Sequence, residues 1–180
     1  MQRWRVAMDH TCRIVVGVDG SPAAQRALAW AVSEVDRRRE PTSVQAITVW
    51  QWDPTNEPES VAVRPLDPRD AAERMLTHAI AVARAGSPDV AIAGEVLEGD
   101  PAATLIRASA GADMLVLGSH GHSAVFHAML GSVADACVRG AACPVVVIPV
   151  SLETSPSIHD GGEFGRSLSH PYGTAWAIRT

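Results

Sequence analysis

Gly118, Gly121, Gly131 and Ser132 carry the spacing with the most chemical content in this chain of 180 residues. Glycines accept φ > 0 and let main-chain N–H groups come close to an anion. Ser132 stands where a helix should begin, so N–H donors without helical partners and the positive end of the helix dipole gather there. The chemistry implied is binding of an anion, a phosphate above all. The same glycines also serve as plain turn residues between a strand and a helix. Asp19 closes the first apolar run, Ile14 to Val18, at Gly17-Val18-Asp19-Gly20-Ser21. A carboxylate there accepts hydrogen bonds from a ribose or an adenine amino group, or else folds back on its own turn. His120, His122 and His127 invite a metal reading, but no ligand pair has structural zinc spacing. No lysine occurs and all 15 basic residues are arginine, which excludes a P-loop.

The elements that must hold these residues are legible as an alternation. Arg13–Asp19 and Ser43–Trp50 are β-branched runs suited to parallel strands covered on both faces. Val90–Leu97 alternates imperfectly and reads as a third strand. Met114–Leu117 and Val145–Ile148 read as the fourth and fifth. Ser21-Pro22 is a cap and first-turn pair for a helix reaching about Arg39, with Ala27, Leu28, Ala31, Val32 and Val35 on one face. Pro68–Ala85 carries an apolar stripe through Leu76, Ala79 and Ala83, and Asp100-Pro101 opens a short helix. A fourth helix begins at Ser132. Strands separated by helical crossovers form parallel sheets with helices on both faces. Asp53–Asp67, with Pro54, Pro58 and Pro65, is a long connecting loop.

The interval from Gly118 through Gly121 to Gly131-Ser132, with Cys143-Pro144 leading into Val145, resembles the glycine signature of the ATP-binding branch of the universal stress protein family. The likeness covers Arg13 to about Val150. It implies an α/β fold, an open five-stranded parallel sheet of Rossmann-like type with strand order 3-2-1-4-5 and helices on both faces. It further implies an adenine nucleotide, ATP, with Mg²⁺ carried on the phosphates. The binding residues would be Gly17, Asp19, Val49 (through its main chain), Gly118, His120, Gly121, Gly131, Ser132 and Val133. A homodimer through the last strand is expected as well, since Val145–Ile148 would be an apolar edge. The function implied is a stress-response regulator that binds nucleotide and signals through partners. The alternative is a slow ATPase or an adenylyl-transferring enzyme of the same fold. One departure from the family pattern is Ala134, where ATP-binding members often carry Ser or Thr.

Composition sets the outer bounds. The chain is 47% hydrophobic and has a net charge of −5, which fits one domain with a substantial core and opposes general nucleic-acid binding. Cys12, Cys137 and Cys143 form no metal spacing and read as reduced thiols of a cytoplasmic protein. No apolar run approaches membrane-spanning length. No base is placed to activate water, so fast catalysis is not expected. Residues 1–12 read as a flexible leader, 13–150 as the nucleotide-binding domain, and 151–180 as a disordered tail poor in apolar residues.

Overall fold

A computed structural model describes residues 11–38, 40–51, 67–120, 130–149 and 176–178. Its elements run β1 (Cys12–Gly17), α1 (Pro22–Arg37), β2 (Thr42–Trp50), α2 (Pro68–Arg84), β3 (Ile92–Glu98), α3 (Pro101–Ser109), β4 (Met114–Gly118), α4 (Ser132–Gly140), β5 (Val145–Ile148) and β6 (Trp176–Ile178). The sheet order is β3-β2-β1-β4-β5-β6. The five strands β1 to β5 pair in parallel, in the order 3-2-1-4-5 that the family resemblance implies.

Side chains on a strand alternate between faces, and here both faces are covered. Ile14 and Val16 of β1 join Val44, Ala46 and Val116 in a core against Ala27, Leu28 and Ala31 of α1 and Leu76 and Ala79 of α2. Val15, between them in β1, points the other way and packs with Ile47, Leu115 and Leu117 against Leu105 of α3 and Ala134 and Cys137 of α4. Helices α1 and α2 thus cover one face, and α3 and α4 the other. The change of side occurs between β1 and β4, the switch point of an open parallel sheet, where strand ends and loops diverge to leave a crevice. The helix starts follow local chemistry. Ser21, Asp67 and Asp100 cap α1, α2 and α3 by accepting from Ala24, Arg69 and Ala103 N–H groups, and each is followed by proline.

Two features depart from the sequence expectation. Cys12, placed at the end of the leader, begins β1 and is buried, because its amide is tied to the Pro41 carbonyl beside β2. The segment after residue 150, expected to stay out of the fold, contributes β6. That strand lies antiparallel on β5, with Val145 opposite Ile178, Val146 opposite Ala177 and Val147 opposite Trp176. The edge expected to be open for a second copy is therefore occupied by the chain itself. Three residues of strand are too short to register in a composition-based reading of the tail. The loop from 52 to 66 lies outside the described residues, as do residues 1–10.

Candidate functional site

The β1–α1 turn forms one side of the crevice. Gly20 has φ of 83°, a left-handed conformation that glycine takes without the steric cost of a Cβ. Asp19 Oδ1 accepts from the Ser21 N–H at 2.9 Å, so the carboxylate closes its own turn. The turn reading of Asp19 holds, and the same residue lines the cleft. The turn is anchored to β2: Val18 N–H donates to the Ile47 carbonyl at 2.8 Å, and Thr48 Oγ1 donates to the Val18 carbonyl at 2.9 Å. Ser21, buried, accepts from Ala24 N–H and donates from its hydroxyl to the His120 carbonyl at 3.4 Å. That contact links the start of α1 to the end of β4.

The β4 end forms the other side. Gly118 lies directly against the first turn of α1. Ser119 N–H donates to the Ile148 carbonyl at 2.8 Å, and Gly131 N–H returns to the Ser119 carbonyl at 2.8 Å. The chain thus comes back to the tip of β4 just as α4 starts. Gly131 is the N-cap of α4, with extended backbone and no side-chain capping bond. The N–H groups of Ser132, Val133 and Ala134 then sit in a first turn with no intrahelical acceptor. His120 Nδ1 lies 3.1 Å from Ser119 Oγ, while its buried Nε2 has no partner among the described residues.

These pieces enclose a cavity of about 290 Å³, near the lower end of small-ligand sites. Its walls differ in character. Ile47 and Val49 of β2, Pro101 and Leu105 of α3, and Leu117 make an apolar side. Asp19, Ser119, His120 and the uncapped start of α4 make a polar side. A flat heterocycle suits the first and an anion the second. Gly17, Asp19, Val49, Gly118, His120, Gly131, Ser132 and Val133 all line this one cleft. Gly121 lies outside the described residues, as do His122 and His127. Site reasoning from the sequence missed Ile47, Pro101 and the Ser21–His120 contact. It missed Leu105 too, for which the available signal was its place one turn after Pro101, at the head of α3. Among the described residues, no cluster of three His, Cys, Asp or Glu side chains is arranged to hold a metal ion.

Cys137 anchors α4 from below. It is fully buried, and desolvation, with the Asp100 carboxylate adding to it, pushes its thiol up from 9.0 to about 11. The unfolded chain therefore gives up this proton at lower pH than the folded one. Stability from this group is whole below pH 9.0 and is lost as pH rises toward about 11. Thermal melts between pH 8 and 11 should fall more steeply for the wild type than for Cys137→Ala. Parallel slopes would show that the thiol is not held protonated by burial.

The description "Universal stress protein family" belongs to the family whose model matches residues 11–149. Universal stress protein Mb2028c of Mycobacterium bovis is 32% identical over 141 residues, covering 75% of this chain and 47% of that protein. Universal stress protein Rv1996 of Mycobacterium tuberculosis is 36% identical over 155 residues, covering 76% of this chain and 47% of that protein. The chain thus spans about half the length of the curated relatives it matches. A crystal structure of a universal stress protein in complex with cAMP superposes with a TM-score of 0.59 at 24% identity, covering 78% of this chain and 98% of that one; at that identity it speaks for the fold. With the family match running from the first residue before β1 to the end of β5, and the same strand order in the fold, the chain belongs to the universal stress protein family.

Proposed function

We propose that the cleft between β1 and β4 binds an adenine nucleotide, ATP in particular with Mg²⁺ on its phosphates, and that the protein acts as a cytoplasmic stress-response regulator. The observation that carries this reading is the cavity's division into an apolar wall and an uncapped helix start. In this reading the base lies between Val49 and Leu105, the ribose near Asp19, and the phosphates at Gly118, His120 and the Gly131–Val133 turn. Signalling passes through protein partners, and self-association through β5 belongs to the same reading. Of the described residues lining the cleft, only Asp19 and His120 carry acid–base side chains, and Asp19 is engaged in its turn. That favours a binding role over turnover.

Ala134 lies in the cleft and is 3% exposed. It offers no side-chain donor where a hydroxyl would meet a terminal phosphate. One hydrogen bond to a charged group contributes on the order of 1.5–3 kcal/mol, of which water recovers part at an open site. Titration calorimetry of the full chain with ATP and with ADP tests both levels of the reading. Wild type binds ATP, and Ala134→Ser raises the ATP/ADP affinity ratio about tenfold, or about 1.4 kcal/mol. Absence of ATP binding by the wild type sinks the nucleotide assignment. An unmoved ratio with binding intact sinks only the phosphate register.

A further inference from the structure

We infer that β6 is a cap on the β5 edge, held by the chain's own C-terminal segment, and that a second copy of this chain docks on that edge when the cap leaves. The inference rests on the self-association named above and adds what controls it. The observations are backbone ones. β5 is flanked by β4 on one side through parallel pairing and by β6 on the other through antiparallel pairing. An open strand edge presents a row of N–H and C=O groups that pairs with any strand offered to it, and here the strand offered is Trp176–Ile178.

The second occupant follows from symmetry. Antiparallel pairing of β5 with the β5 of another copy uses the same surface on both partners, as a closed two-fold dimer requires. It also supplies a four-residue strand in place of a three-residue one. The direction already accepted by the edge, antiparallel, is the direction a two-fold axis imposes. The cap and the copy therefore compete for one ladder. The cap has the advantage of tethering through residues 149–175, which holds its effective concentration far above that of a free copy. A free copy at micromolar concentration does not displace it. Val145–Ile148 is packed from both faces by residues of the two helical layers, so β5 persists whether or not β6 is docked.

The test uses the full chain with Trp176→Pro and Ala177→Pro together. Successive strand residues direct their N–H groups to opposite edges, so this pair removes a ladder donor whichever residue faces β5. Sedimentation velocity from about 1 to 100 µM, a range chosen to lie below a tethered strand's effective concentration, should show the wild type as a 19.0 kDa monomer. The double variant should shift with concentration to twice that mass. Hydrogen exchange of the 145–148 peptide should be slow in the wild type at every concentration. In the variant it should become slow only as the dimer forms. A wild type that is already dimeric, with a variant that matches it, leaves self-association standing and overturns the cap. Monomers in both overturn the cap and the self-association together. A variant whose thermal melt is lost also overturns the cap, because a strand that only covers an edge is not needed for folding.

Discussion

Gly118→Ala should cost the protein more stability than any other one-atom change at the site. A Cβ at this position falls 2.8 Å from the Ala23 carbonyl carbon, 2.8 Å from Ala23 Cβ and 2.8 Å from the Ala24 nitrogen. Two of those three atoms are backbone of the first turn of α1, and that turn is fixed by the Ser21 cap. It cannot yield without lifting α1 off the sheet, and α1 carries Ala27, Leu28 and Ala31 into the core. Overpacking of this kind costs about 1–3 kcal/mol where side chains can move, and here the obstacle is main chain. At about 2–4 °C per kcal/mol for a chain of this size, the melting temperature should fall by roughly 5–10 °C. ATP affinity should fall with it, since Ser119, His120 and Ser21 meet at the same junction. A melt within about a degree of the wild type would mean that β4 and α1 are farther apart than described.

Gly17→Ala should separate binding from folding. Its Cβ would fall 2.7 Å from Leu117 Cδ2 and 3.1 Å from Leu105 Cδ1. Both obstacles are the free ends of leucine side chains, so they can turn aside at a cost of about 1 kcal/mol of rotamer strain. The cavity that both side chains line offers them room to turn into. The apolar wall advances on the place assigned to the base. Stability should drop by only a few degrees, while ATP affinity drops about tenfold or more, equivalent to about 1.4 kcal/mol. Paired melts and calorimetry on the two alanine variants decide the matter. If Gly17→Ala binds ATP as the wild type does, the base does not lie against Leu105 and Leu117.

What the sequence disclosed tracks how local the governing physics is. The run Ile14-Val15-Val16 could be read as a strand covered on both sides because β-branched residues without polar alternation have no solvent-facing option, and all three are fully buried. Ser21-Pro22 and Asp100-Pro101 marked helix starts because capping is settled within four residues. The glycine spacing pointed to one anion site, and Gly118, Gly131 and Ser132 do meet in one cleft. The apolar wall was less legible. Ile47, Pro101 and Leu105 come from two elements far apart in the chain, and nothing local shows that they face each other. The role of Gly118 was read as access for a phosphate; its contact with Ala23 and Ala24 gives it a packing role as well. β6 was not legible at all, because three residues can form a strand only if an edge is waiting, and the edge lies far back along the chain at β5.

The hydrogen bond from Gly131 to the Ser119 carbonyl has a consequence for how such a chain can diversify. It clasps the two ends of the intervening segment at the tip of β4, so the sheet and α4 are registered by the clasp and not by the length of what lies between. Closing a loop of twice the length costs only about 0.6 kcal/mol more. Insertions and deletions between residues 120 and 130 are therefore nearly neutral for the scaffold. A change of length there leaves the Gly131–Ser119 clasp in place, and with it the start of α4 beside the cleft.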